Sequence, residues 1–397
     1  MTVEVVIAGD TDVALWHLPS RERLRRQIAL ESTLTLATAE SAAASRKRIT
    51  VAAGFLFDGT TLSELAKRDE SALIDPDTEQ VAAVVSGILS AGEQQALMQH
   101  PLPGDNRLRP LTPADLAVYN DKLRRNSAPT LAALNADARA ALEAQLYGAS
   151  YKGITDLVTK WLWPAPAKQG VKACAALGIT PNQVTLLGAL LMLLALWLFS
   201  QGQFFAGLAA GWFMTYLDTV DGKLARVTVQ SSKLGHVLDH GMDIVHPPFW
   251  YWAWGMGLVT TAPVFESISL TTINYLIFGG YIAGRVIEGA FHSLASCGLF
   301  SWRPFDAYFR LITGRRNPCM ILLTVGWALG RPDLGLLWVA LWTAASSFIL
   351  LLRLLQAAWI RSRSEPLQSW LASTDAATQH PRAFSTFSAT RAAYEVR

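Results

Sequence analysis

Asp218-Thr219-Val220-Asp221-Gly222-Lys223-Leu224-Ala225-Arg226 is followed shortly by Gly235-His236-Val237-Leu238-Asp239-His240-Gly241-Met242-Asp243, and this pair of stretches decides how the chain reads. Each stretch begins or continues a helix-length hydrophobic segment, so its carboxylates sit beside what looks like a bilayer, where charge is costly and needs a purpose. A spacing of three puts Asp218 and Asp221 on one helical face, and a spacing of four does the same for Asp239 and Asp243. Two such helices side by side bring four carboxylates to one point. Bare, they repel one another; hard divalent cations such as Mg²⁺ or Mn²⁺ are the simplest way to keep them ionised together. The residues between the pairs suit a diphosphate. Gly222 and Gly235 remove bulk where a ligand must approach backbone, and Lys223 and Arg226 add fixed positive charge.

Outward from that point the chain is hydrophobic. Of its 397 residues 51% are apolar and 16% charged, with 14 tryptophans, which is too apolar for a pair of ordinary soluble domains. The excess lies in the second half. Gln183 to Leu217 holds no charge, and at about 20 residues per crossing it reads as two helices joined near Ser200-Gln201-Gly202. Further spans are expected near 235–262, 270–291, 316–331 and 334–357, the fifth being short and completed by Arg315 and Arg316 reaching outward. The loop with Lys223, Arg226 and Lys233, the loop with Arg303, Arg310, Arg315 and Arg316, and the end bearing Arg361 and Arg363 are basic. The opposite turns are nearly uncharged. The positive-inside rule then sets the aspartates and both termini on the cytoplasmic side of an inner membrane of bacterial or archaeal type.

The aspartates, Gly222, Ala225, Arg226 and Gly235, with their gaps, match the signature of the CDP-alcohol phosphotransferase family, and the resemblance extends to Thr180-Pro181-Asn182-x-x-Thr185, Thr228 and Gln230. It implies six membrane helices. It also implies metal-dependent transfer of a substituted phosphate, usually phosphatidyl from CDP-diacylglycerol, to a second alcohol, with CMP leaving. On that resemblance Asp218, Asp221 and Asp239 are principal ligands of two cations, with Asp221 or Asp239 as the bridge. Asp243 is the candidate general base and a further ligand. Arg226 neutralises phosphate charge, Asn182 contacts phosphates, and Gly222, Ala225, Thr228 and Gly235 line the cytidine pocket. Such a site asks for positioning and charge neutralisation more than for covalent chemistry. A homodimer is usual among such proteins, but no residue marks an interface. The bland reading, that each aspartate is a solvated or capping group, is easy for one of them and hard for all four together. An ion-coupled transporter is the non-enzyme alternative, and it would not need Gly222, Ala225, Arg226 and Gly235 in this frame.

The acceptor is less legible. Arg285 and Glu288 share one face of a later span, with Arg315 and Arg316 nearby in sequence. Converging on a cavity, Arg285, Arg315 and Arg316 would favour a phosphorylated polyol such as glycerol phosphate or inositol phosphate. Equally, Arg285 and Glu288 could pair within the bundle. A soluble CDP-polyol donor is the alternative to CDP-diacylglycerol. His236, His240 and His246 are expected to pack or hydrogen-bond rather than ligate hard metals. Nothing calls for a nucleic-acid partner; membrane lipids are expected.

Residues 1–110 read as a soluble α/β unit, loosely similar to the cytidylyltransferase-like domains fused to some relatives. Val3–Ala8 and Ile49–Ala53 read as strands, Arg21–Leu34 and Val81–Leu97 as helices, and Asp58-Gly59 and Pro101-x-Pro103-Gly104 as turns. Ala8-Gly9-Asp10-Thr11-Asp12 offers one glycine and two acids where phosphates would need glycines and a base, so a catalytically silent domain is expected, with residual nucleotide binding or synthesis as the alternative. Arg21, Arg23, Arg25 and Arg26 read most simply as a solvated helix face, with nucleotide binding as the alternative. Residues 111–150 read as a helical connector and 151–180 as an interfacial helix with Trp161, Trp163, Lys160, Lys168 and Lys172, or as a soluble connector with buried tryptophans. The membrane unit is 181–360. The remainder, 361–397, is polar and reads as mobile. Met1 to Asp10 does not read as a cleavable signal, and Cys174, Cys297 and Cys319 have no metal-type spacing.

Overall fold

The computed structural model describes residues 2–38, 47–98, 102, 107–116, 118–121, 123–127, 129–230, 233–261, 268–363 and 366–388, without the side chains at 118, 127, 233, 234, 236–240, 260 and 261. Asp239, His236 and His240 therefore lie outside the described side chains. Pro101 and the 103–106 turn lie outside the described residues altogether.

The N-terminal half begins with β1 (Val3–Ala8), whose apolar run from Val5 to Ala8 is buried throughout and suits a strand covered on both faces. The hairpin of β2 (Ala14–Leu15) and β3 (Leu18–Pro19) leads into helix α1 (Ser20–Leu30) and then β4 (Leu34–Leu36). After β5 (Arg48–Ala52) and β6 (Phe55–Phe57) come α2 (Thr61–Leu65), β7 (Ser71–Ile74), β8 (Val81–Ser86), α3 (Ala91–Leu97) and β9 (Arg109–Leu111). Six strands form one sheet in the order β4-β1-β5-β8-β7-β9, parallel from β4 to β5, antiparallel through β8 to β7, and parallel again at β9. Val81–Leu97 is thus a correction. Val81-Ala-Ala-Val-Val-Ser is a central strand with every residue buried, and the helix starts only at the Ser90–Glu93 capping box. A continuous apolar run fits a buried strand and a buried helix alike.

The expected helical connector is corrected as well. Up to residue 133 it holds β9, a short 3₁₀ turn, the hairpin of β10 (Val118–Asn120) with β11 (Arg125–Ser127), and β12 (Leu131–Ala133), which pairs with β6. Among the described residues there, α4 (Arg139–Ala149) is the only α-helix. The arginine-rich face of α1 is not simply solvated. Arg23 is buried and donates to the Leu15 carbonyl at 2.9 Å, Arg21 donates to Gly9 at 2.7 Å, and Arg26 donates to the Thr228 carbonyl at 3.0 Å. Burial, with Arg26 adding and Glu143 opposing, pushes Arg23 down to about 10.

A π-helical turn (Val158–Leu162) and α5 (Pro164–Ala176) lead to the helical bundle: α6 (Pro181–Ser200), α7 (Phe204–Val227), α8 (Lys233–Thr261), α9 (Leu270–Leu294), α10 (Pro304–Ile312), α11 (Arg316–Ala328) and α12 (Pro332–Arg361). Thr180 caps α6 reciprocally with Gln183, and Pro181 opens it. The core gathers Phe199, Trp250, Trp254, Met320, Leu323 and Val339. Close helix approach needs Gly257, where a Cβ would fall 2.2 Å from the Phe199 carbonyl oxygen, so α6 and α8 could not meet there with any larger residue.

Leu186, Leu190, Trp197, Val286, Phe348 and Trp359 are exposed, so the bundle turns apolar residues outward. Among the described residues two helices, α6 and α12, are long and apolar enough to cross a membrane. The reason is visible in the others: α7 and α8 end and begin on the aspartates and their basic neighbours, α9 carries Arg285 and Glu288, and α11 has 13 residues. At 1.5 Å per residue that last helix is short of the roughly 30 Å hydrocarbon core.

The expected mobile tail is a correction over 366–388; residues 389–397 are outside the described set. A 3₁₀ turn (Trp370–Ala372), α13 (Ala376–Gln379) and α14 (Pro381–Phe387) bury Leu367, Trp370, Leu371, Ala383 and Phe387 against Ile154, Phe300 and Trp302. Scattered apolar residues with no period found partners far away in sequence.

Candidate active site

The antiparallel pairing of α6 and α7 sets the start of the first beside the end of the second. Thr185 on α6 donates to Asp221 Oδ2 at 2.7 Å, and Asp221 is 5% exposed. Asn182 stands one turn earlier on α6. Asp218 faces another way, across to α8 and α11. There Arg316, the first residue of α11, donates from Nη2 to Asp218 at 2.6 Å and from Nη1 to Asp243 at 2.5 Å. One guanidinium thus joins carboxylates from two helices. Asp239 belongs one turn before Asp243 on α8, but its side chain is outside the described set. Among the described residues no three His, Cys, Asp or Glu side chains gather as a metal group.

Asp243 is held by a device that sequence reading missed. Pro247 and Pro248 lie inside α8 and lack the N–H groups that would bond the carbonyls of Asp243 and Ile244. Tyr281 of α9 lies 3.3 Å from the first carbonyl and 2.9 Å from the second, and its hydroxyl accepts from Arg285 at 2.9 Å. The Pro-Pro pair was the available signal: a helix that loses two N–H groups needs a donor from elsewhere.

The other expected residues are placed as follows. Arg226 folds back over Gly222, where a Cβ would lie 3.1 Å from its Nη2. Ala225 is half-buried on the same turn, and Gly235 opens α8. Thr228 is buried and turns its hydroxyl to the Leu224 carbonyl at 2.7 Å, while its own carbonyl accepts from Arg26. Lys223 is drawn away from the carboxylates. It donates to Ser150 at 3.2 Å and sits 3.4 Å above the Tyr151 ring. Arg315 pairs with Glu288, so the Arg285–Glu288 pair considered from sequence is not the one formed. His246 bonds the Met242 carbonyl at 2.6 Å and packs on Trp250, away from any ligand role.

A second layer of charge lies beneath. Asp156 accepts from the backbone of Val158 and Thr159 and from Asn317 at 3.0 Å. Burial would raise its carboxyl, yet Arg310 and these hydrogen bonds outweigh that and hold it below the ordinary carboxylate range. Burial pushes Arg310 down to about 10, with Asp156 opposing and Arg124 and Arg285 adding to the fall. Arg315 is pushed down to about 9 by burial and by Arg285, with Arg124 a smaller contributor. The region beside Asp243 is therefore rich in positive charge. Chemically, the arrangement offers hard oxygen donors next to guanidinium groups, the pattern that holds a phosphorylated substrate.

A sequence profile described as CDP-alcohol phosphatidyltransferase matches residues 178–287. The archaetidylinositol phosphate synthase of Pyrococcus horikoshii is 48% identical over 81 residues, which cover 20% of this chain and 42% of that protein. The phosphatidylinositol phosphate synthase of Mycobacterium marinum is 30% identical over 109 residues, 25% of this chain and 47% of that protein. The chain thus spans less than half the length of either curated relative. A crystal structure of Mycobacterium tuberculosis phosphatidylinositol phosphate synthase with manganese and citrate is 18% identical and covers 49% of this chain and 88% of that one. Its TM-score of 0.33 carries no argument. The sequence match covers α6, α7, α8 and most of α9, the helices that carry the aspartates, so over residues 178–287 the chain is similar to the CDP-alcohol phosphatidyltransferase family.

Proposed function

We propose that this protein transfers a phosphatidyl group from CDP-diacylglycerol to a phosphorylated polyol of the inositol phosphate type, with release of CMP. The observation that carries the reading is the convergence of Asp218 and Asp243, from two helices, on one cationic group. Two carboxylates that need a shared positive charge, in a family frame, fit Mg²⁺ or Mn²⁺ as resident cations. Asp218, Asp221, Asp239 and Asp243 would hold them, and bound cations would supply charge neutralisation for a diphosphate. Thr185 fixes the rotamer of Asp221, as hydrogen-bonded supports of ligating carboxylates do.

Asp243 takes the proton of the acceptor hydroxyl as its oxygen bonds to phosphorus. A carboxylate is a weak base at neutral pH, so it acts late in bond formation. Arg226, beside Gly222, Ala225, Thr228 and Gly235 and with Asn182 across from it, holds the CDP part. Arg285, Arg315 and Arg316 hold the acceptor's phosphate, and the names of both relatives, inositol phosphate synthases, support that acceptor class. Six helices crossing an inner membrane, with the aspartates on the cytoplasmic side, complete the reading; the outward apolar faces and the basic loops support it.

Purified protein given CDP-diacylglycerol, Mn²⁺ and a panel of polyols and polyol phosphates should release CMP, most strongly with inositol phosphate, and Asp239→Asn should abolish release. CMP release from a soluble CDP-inositol alone would move the donor assignment. No CMP from any donor would end the reading.

A further inference from the structure

The hairpin of β10 and β11 carries Arg124 and Arg125, which nothing so far has used. Arg125 is 6% exposed, and its Nε is buried without a hydrogen-bond partner. Its nearest favourable charge is Asp58, whose oxygens are already taken up by the N–H groups of Thr60, Thr61 and Thr130. Arg124 is half-buried in a left-handed backbone conformation at φ 48°. A non-glycine residue in that region is strained, and strained backbone tends to persist where a side chain must be aimed. A buried guanidinium is expensive unless an anion meets it.

The hairpin lies on the linker between the two halves of the protein. Gly153 donates to the Leu123 carbonyl at 2.8 Å, and a Cβ at Gly153 would fall 2.5 Å from the Arg124 carbonyl oxygen. That same linker touches both sides of the site. Its Ser150 carbonyl accepts from Lys223 at the end of α7, and its Asp156 accepts from Asn317 at the start of α11. From the far side the folded tail pins the hairpin, through Asn126 to the Leu371 carbonyl at 2.9 Å and through Ser388 to the Asn126 carbonyl. The hairpin is therefore anchored across the gap between the ends of α7 and α11. Arg125 is within electrostatic reach of Arg226, and Arg124 of Arg310 and Arg315. Asp156 opposes Arg310 and Glu288 pairs with Arg315, and the added Arg124 and Arg125 increase the positive charge there, which favours an anion.

We propose that Arg124 and Arg125 are substrate-phosphate ligands supplied by the N-terminal half: Arg125 on the donor diphosphate beside Arg226, and Arg124 on the acceptor's phosphate monoester beside Arg310 and Arg315. This rests on the function proposed above. It gives the N-terminal unit a part in substrate recognition although it need have no chemistry of its own. The two arginines are adjacent in a strand-entering turn, so their side chains diverge and can serve two substrates at once.

Steady-state kinetics and calorimetry on the full-length protein in detergent test it. Arg124→Gln should raise KM for inositol phosphate about 10- to 100-fold, the loss of one charge-assisted contact, with little change in KM for CDP-diacylglycerol. Arg125→Gln should do the reverse, and Arg124→Lys and Arg125→Lys should restore much of each loss. Unchanged constants in both glutamine variants would overturn the proposal, as would equal losses for both substrates that lysine does not rescue, which is what a purely structural role produces. Should the wild type turn over no donor at all, the proposed function fails separately. Calorimetric binding of inositol phosphate to wild type, Arg124→Gln and Arg124→Lys would then still decide Arg124: weaker binding that lysine restores supports a phosphate contact, and unchanged binding or a loss that lysine does not restore overturns it.

Discussion

Arg316 stands 2.5 Å from Asp243, and because its other nitrogen reaches Asp218 it lies where a cation shared by those two carboxylates would sit. On the proposed function, a divalent ion that takes those same oxygens would displace Arg316. Displaced, it would be free to meet the proposed acceptor's phosphate.

Arg316→Gln should therefore bind Mn²⁺ more tightly than wild type, by about tenfold if the pair is worth about 1.4 kcal/mol. Its metal-free form should be less stable by about 1–3 kcal/mol, the cost of leaving carboxylates without a counter-charge in a partly exposed setting. Mn²⁺ titration followed by electron paramagnetic resonance and thermal unfolding in detergent measure the two effects. Equal Mn²⁺ affinity would show that Arg316 does not compete.

Tyr281→Phe removes the only described side-chain donor to the carbonyls that Pro247 and Pro248 leave open. We expect a loss of about 1–3 kcal/mol in stability and a fall in kcat larger than any change in KM, because Asp243 loses its support. Combining it with Pro248→Ala returns an N–H to the helix, so the double variant should lose less than the sum of the singles. Additive losses would refute the link.

At Gly153 a methyl group would meet the carbonyls of Phe387 and Arg124. Gly153→Ala should then push the hairpin and tail apart at a cost of about 1–3 kcal/mol. Limited proteolysis within 366–388 should quicken several-fold. A digestion pattern like that of wild type would show that the three segments tolerate the added carbon.

Asp156 supplies a pH dependence whose sign follows from its lowered carboxyl value. A depressed folded-state value means its stabilisation is complete above the ordinary carboxylate value of roughly 4 and is lost as pH falls through the lowered one. Asp156→Asn should be less stable than wild type at neutral pH, and the gap should narrow in acid. Melting temperatures from neutral pH down to the acid limit of solubility check this; a gap that widens in acid would reverse the assignment.

Some of this was legible in the residues themselves. Thr180-Pro181 announces the start of α6, the run Val3–Ala8 is a strand with those bounds, and Asp218, Asp221, Ala225 and Arg226 keep the spacing of one helix that the structure displays. Val81–Leu97 misled because a buried strand has no alternation to distinguish it from a buried helix. The tail misled for a different reason. Trp370 and Phe387 have no period of their own, and their burial depends on Ile154 and Trp302, which no local window contains.

Local features fixed what depends on near neighbours: helix starts, the apolar faces of the bundle and the family frame of the aspartates, since caps, periodicity and motif spacing act over a few residues. Only the folded chain decided which charges meet. Arg316 finds Asp218 and Asp243, Tyr281 finds the carbonyls beyond Asp243, and Asn126 of the β10–β11 hairpin finds the Leu371 carbonyl far off in sequence. Such pairings arise when buried charges and open carbonyls must find partners across the packed interior, a demand that acts through space rather than along the chain.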